Sequence, residues 1–236
     1  MRILSNANST RAFFGKKIIL VEGQTDQYFF KAALEKSHPE LMQEITVTDI
    51  SGKKEYKAWK SFFEAFGLTV YYIGDFDNVE EFKLSQYKRS KIKKQIENTL
   101  KQNKLDKLTE KQKKELEIAH KELVKNENFI MCPQRTQWKN LLDIFMKFVA
   151  VKATPHEILS KMKEMDSGIN TEIDKKYFEK IYILKFGALE DYTETKHGRL
   201  DEIISFCENK LSDWLRNDSN EKDKEIKEII QQITIN

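Results

Sequence analysis

The sequence predicts an α/β fold: a parallel sheet flanked by helices and interrupted by a large helical insertion. Short apolar runs rich in β-branched residues, Lys17–Glu22, Ile45–Ile50 and Leu68–Gly74, alternate with amphipathic helical stretches. That alternation calls for right-handed βαβ units and hence a parallel sheet. After the third run the composition shifts, and a further strand-like segment, Tyr182–Phe186, appears only near the other end.

Taken in order, KIILVE ends at Gly23, as a strand buried on both faces does. Gln24–Lys36 repeats Tyr28, Phe29, Ala32 and Ala33 with helical period; Thr25 is the expected N-cap and Pro39 the stop. ITVTDI breaks at Ser51-Gly52. The next helix aligns Tyr56, Trp59, Phe62, Phe63 and Phe66 on one side and closes at Gly67. LTVYYIG runs directly into Asp75-Phe76-Asp77. From Val79 to about Asn128 the chain is dense in Lys, Glu and Gln without Gly or Pro, which reads as long solvated helices. Phe129–Val151 and Pro155–Met165 are expected as further helices, Ser167–Asn170 as a loop, and Leu200–Leu215 and Glu221–Ile233 as terminal helices. The expected organisation is a sheet core in residues 1–78, completed by 179–236, around a helical insertion at 79–178, since a segment that long behaves as a subdomain rather than a loop.

Five acids fall where parallel strands run out. Glu22 ends the first strand and Asp26 lies in the first turn of the helix that follows. Asp75 and Asp77 end the third strand, and residues two apart in an extended segment share a face. Glu190 follows the fourth strand-like run. Ligands of open α/β sheets bind at the carboxyl ends of the strands. Carboxylates gathered there repel one another, and a divalent cation relieves the repulsion; ligation by oxygen alone suits Mg²⁺ or Mn²⁺. Two such ions in one site serve phosphodiester hydrolysis.

Lys16–Asp26 (KKIILVEGQTD) resembles the opening motif of Toprim domains, and Gly74–Asn78 (GDFDN) resembles their Asp-x-Asp motif. Arg11–Phe14, Ser51-Gly52-Lys53 and Gly187–Tyr192 (GALEDY) further resemble segments of the overcoming-lysogenization-defect (OLD) nucleases. The resemblance covers residues 11–77 and 181–192 and implies a Toprim (Rossmann-like) sheet. It also implies a two-metal endonuclease in which Glu22, Asp26, Asp75, Asp77 and Glu190 are catalytic and hold two Mg²⁺ or Mn²⁺ ions. Family members carry an ATP-binding-cassette ATPase ahead of this domain. The sequence has no Gly-rich loop ending in Gly-Lys-Ser/Thr, so no nucleotide-binding residue is assigned, and the ATPase is expected as a separate or missing part. Two further departures are the small residues Gly187 and Ala188 before the late Glu, where the family often has a polar one, and the family's distal Lys, for which Lys53, Lys185 and Lys196 are candidates.

Net charge is only +3, yet Lys83–Lys94 holds six basic residues and no acid. Such a stretch suits phosphate tracking as well as a plain solvated helix. Lys53, Lys196 and Lys91 are the candidate substrate contacts. The histidines (His38, His120, His156, His197) share no ligand spacing; His197 and Arg199 come shortly after Glu190. Cys132 and Cys207 are too far apart in sequence for a metal or disulfide framework, which reads as two reduced thiols in a cytoplasmic setting. No apolar stretch approaches the roughly 20 residues of a membrane span.

The expected function is cleavage of DNA, by nicking or double-strand scission, as the Toprim effector of an OLD-type antiviral defence system acting as a homodimer with an ATPase. The alternatives are an RNase that attacks tRNA, since the chemistry does not depend on the sugar, and a non-catalytic Toprim interaction module.

Overall fold

The computed structural model describes residues 13, 15–85, 109, 163, 166–217 and 220–235. The chain divides into two compact units, one of Met1–Ser85 with Gly168–Asn236 and one of Gln86–Ser167. The helices expected at Phe129–Val151 and Pro155–Met165, with Lys91, Cys132, His120 and His156, lie outside the described residues.

Four strands, β1 (Lys17–Val21), β2 (Ile45–Asp49), β3 (Thr69–Gly74) and β4 (Ile181–Ile183), form one sheet in the order β2-β1-β3-β4, with every neighbouring pair parallel. Val21 stands opposite both Asp49 and Ile73, and Gly74 opposite Ile183. The carboxyl ends are therefore level, and whatever follows each strand emerges along one edge.

The continuous apolar runs are explained by burial on both faces. On one face Ile19, Val21, Tyr71 and Ile73 pack under α1 (Gln24–Ser37), α6 (Leu200–Asn209), α7 (Leu211–Arg216) and α8 (Glu221–Ile235). On the other, α2 (Tyr56–Ala65) lays Tyr56, Trp59 and Phe63 down, with the Tyr56 and Tyr72 rings 4.6 Å apart. The short α3 (Asn78–Glu81) and α5 (Leu189–Thr193) follow β3 and β4, and α4 (Ile169–Tyr177) precedes β4. Phe29, fully buried against Phe30, Phe206 and Trp214, joins α1 to the C-terminal helices. Truncating such a ring costs ~3–5 kcal/mol.

Several boundaries correct the sequence reading. Gly23, not Thr25, is the N-cap of α1: β1 runs so directly into the helix that Thr25 already lies in its first turn. Residues 169–170 open α4 rather than forming a loop, because Ile169 and Ile173, one turn apart, are both buried. β4 stops at Ile183 because the amides of Lys185 and Phe186 turn away to side-chain acceptors. The helix expected over Leu200–Leu215 is two, broken at Lys210. Among the described residues, no helix is long and apolar enough to cross a membrane.

Candidate metal centre

Each acid reaches the sheet edge by a different local device. Glu22 is the residue after β1, and its Oε1 accepts from the Asp75 amide at 3.3 Å and from Asn78 Nδ2. Asp26, in the first turn of α1, accepts from the Gly23 N–H at 3.1 Å, which caps the helix and holds the carboxylate toward β1. Asp75, just past β3, accepts from the Leu189 amide at 3.3 Å. Asp77 pairs with Lys53. Glu190, in α5, is 7% exposed, accepts from the Gly198 N–H at 3.0 Å and stands 3.4 Å from His197 Nδ1.

Three of these carboxyls are held above the ordinary carboxylate range. For Glu22 the main cause is burial, opposed by the hydrogen bond from Asn78 and reinforced by Asp77. Asp26 is pushed up to about 7, first by burial and then by Glu22, Glu190 and Asp49. Asp75 stands well above its usual value through burial and then through Asp26, Glu22, Glu190 and Asp77. Asp75 thus lies in the field of all four of the other acids.

The turns between elements make this convergence possible. After β2, Ser51 and Gly52 both take positive φ (57° and 113°), a tight reversal that delivers Lys53 to Asp77. Gly52 N–H donates to the Glu22 carbonyl at 3.0 Å, tying that loop to β1. After β4, Phe76 N–H donates to the Gly187 carbonyl at 2.9 Å, which stitches the two carboxylate-bearing loops together.

Three supports escaped the sequence reading. Asn78 is fully buried; its Nδ2 serves Glu22, the Asp75 carbonyl (2.8 Å) and Asp77 (3.4 Å), while its Oδ1 accepts from Tyr72 at 2.8 Å. Gly74 makes room for it, because a Cβ there would meet Asn78 Nδ2 at 2.7 Å and the Tyr72 hydroxyl at 2.8 Å. The third is Glu225 on α8, 6% exposed, which accepts from the Lys185 amide at 3.1 Å, from Tyr177 and from Tyr192, whose oxygen in turn accepts from Phe186 N–H. This buried network pins the β4–α5 loop and thus the position of Glu190. Asn directly after Asp-x-Asp was the one available signal; nothing local marks Glu225, since its partners lie 33 to 48 residues away.

Of the other candidates, Lys53 sits at the site. Lys196 is exposed and pairs with Glu202 at 3.5 Å, and Arg199 pairs with Asp201. Lys185 pairs with Asp174 at 2.5 Å. Cys207 is a buried free thiol.

The donor set fits a hard divalent cation: it is carboxylate oxygen throughout, crowded and partly desolvated. Among the described residues, no three groups already converge on a single ion position; each acid is turned onto an N–H or a lysine instead. A four-stranded parallel sheet flanked by helices, with acids following three of its level strand ends, is a Toprim-type (Rossmann-like) α/β arrangement. The family model described as "Overcoming lysogenization defect protein-like, TOPRIM domain" matches residues 13–77, and the chain carries a Toprim domain of the OLD family. No curated protein and no solved structure matches the chain.

Proposed function

We propose that this chain is a divalent-metal-dependent endonuclease that cleaves DNA phosphodiester bonds, working as a homodimer with an ATPase in antiviral defence. The observation that carries the reading is the convergence of Glu22, Asp26, Asp77 and Glu190 around Asp75 at the level edge of a parallel sheet. Carboxylates this close cost stability unless cations bind among them.

These five residues would hold two Mg²⁺ or Mn²⁺ ions. The chemistry the ions supply when bound is activation of water at neutral pH and neutralisation of charge on the leaving oxygen. The protein's own part is placement. Asn78 fixes the rotamer of Glu22, the Leu189 amide orients Asp75, and the Gly198 amide holds Glu190. Lys53, which pairs with Asp77 at the edge of the site, would stabilise charge on the phosphoryl oxygens of a substrate held there.

Incubation of purified protein with supercoiled plasmid and with total RNA, each with Mn²⁺, Mg²⁺ or chelator, tests the reading. The expected result is plasmid cleavage that chelator stops and that Glu22→Ala and Asp75→Ala reduce to background, with circular dichroism unchanged. Cleavage of RNA alone would transfer the mechanism to an RNase. Parent-level cleavage by a folded Asp75→Ala protein would remove the assignment.

A further inference from the structure

Beside the acids lies a second concavity of opposite sign. A cavity of about 380 Å³ opens between the β2–α2 loop, α2, the end of α3 and α4. Its lysines are Lys53, Lys54, Lys57, Lys60, Lys83 and Lys176, against only two acids, Glu81 and Glu179. Tyr56 and Ile181, both buried, form part of its lining.

The ion pairs show which charges are spoken for. Lys53 is held by Asp77, Lys60 lies 3.7 Å from Glu64, and Lys176 lies 2.6 Å from Glu179. Among the described residues, Lys54, Lys57 and Lys83 are exposed and have no carboxylate partner. Three free ammonium groups beside a concave apolar surface keep a positive field that exposed lysines scattered over a convex face would lose to solvent. Lys53 belongs to both places: it lines the cavity and touches Asp77. The lysine-lined cavity and the acids therefore adjoin, with Lys53 as the shared residue.

We propose that this cavity binds the backbone phosphates of the nucleic-acid substrate and leads the strand to the carboxylate site. The proposal rests on the nuclease reading and adds its substrate track. A ligand with regularly spaced monoanions matches the free lysines better than one compact anion does, because Lys54, Lys57 and Lys83 come from three separate parts of the lining: the turn before α2, α2 itself and the end of α3. Nothing in the lining reads base edges, so the binding is expected to be indifferent to sequence.

The test is binding of a labelled 20-mer DNA duplex to the full chain in EDTA, between 50 and 200 mM salt, followed by fluorescence anisotropy. Each phosphate contact contributes about 0.9 to the salt slope, so Lys54→Ala/Lys57→Ala is expected to flatten it by about 1.8. Between those salt concentrations this amounts to about 12-fold less loss of affinity. The control Lys31→Ala/Lys210→Ala removes the same charge elsewhere and is expected to keep the parent slope. A cavity variant with parent affinity and slope overturns the proposal, as does the same flattening in the control. Displacement of the duplex by a mononucleotide at equal phosphate concentration also overturns it, in favour of a compact-anion site. Because no cleavage is needed, the two readings separate. Slope loss in a protein that never cuts would keep the track and remove the nuclease; metal-dependent cutting with an unchanged slope would do the reverse.

Discussion

Replacing Asp26 by Asn is expected to stabilise the metal-free protein at neutral pH. The Asn side chain retains an oxygen that can accept from the Gly23 N–H, so the cap of α1 survives. What disappears is a charge faced by Glu22, Asp49 and Glu190 and by Asp75 beyond. The sign follows from the raised carboxyl. Its protonated form contributes stability that is fully present below the ordinary value of 3.8 and is lost as pH rises through about 7. The ceiling on that loss is ~4 kcal/mol at pH 8. Asp26 keeps one edge open to water, and screening there brings the figure nearer ~2 kcal/mol. In a domain of this size that is about 4–8 °C of melting temperature. Thermal melts in EDTA at pH 4.5 and pH 8 measure it. The variant should melt above the parent at pH 8 and close to it at pH 4.5. Saturating Mn²⁺ should reverse the order at pH 8, because the cation stabilises the form with the complete carboxylate set by ~2.7 kcal/mol at a hundredfold excess over Kd. A folded Asn variant that melts at or below the parent at pH 8 in EDTA would refute the account of a repelling cluster.

Two further outcomes concern the supports of the site. Glu225→Ala leaves the Lys185 amide and two tyrosine hydroxyls without their acceptor, so urea unfolding should show a loss of ~2–4 kcal/mol, whereas Glu225→Gln, which keeps an acceptor, should lose less than ~1.5 kcal/mol. Gly74→Ala forces a methyl group against Asn78 and Tyr72; it should cost ~1–3 kcal/mol by the same measurement and lower cleavage more than an equally destabilising core substitution such as Ile229→Val, which leaves Asn78 in place.

The sheet was legible because its strands obey a rule that needs no partner. A run such as KIILV, apolar at every position, has to be covered on both faces, and the glycines and acids that follow mark where it stops. The placement of Glu22, Asp75 and Asp77 beyond strand ends was legible for the same reason, since each closely follows such a run. Legibility ended where long-range pairing decides. The early stop of β4 follows from amides claimed by the side chains of Glu225 and Tyr192 in other elements. Asn78 could be noticed, but its role depends on Glu22 being 56 residues away in sequence and adjacent in space. Lys54 and Lys57 looked like ordinary polar positions at the start of an amphipathic helix; only the fold places them with Lys176 around one cavity.

The arrangement of charge connects these observations. A parallel sheet with level carboxyl ends concentrates acids at one edge, and neutralising that edge with lysines alone would close it to metal and substrate. Among the described residues a single lysine pairs with these acids, Lys53, attached to one acid out of five. The remaining acids are restrained by N–H donors, which orient a carboxylate without cancelling its charge. Such donors leave the repulsion in place, as the raised carboxyls of Asp26 and Asp75 express. The free lysines lie a short way off, along the cavity that begins at Lys53. An edge that attracts cations therefore adjoins a cavity that attracts phosphates, and Lys53 is the residue at which the two fields meet.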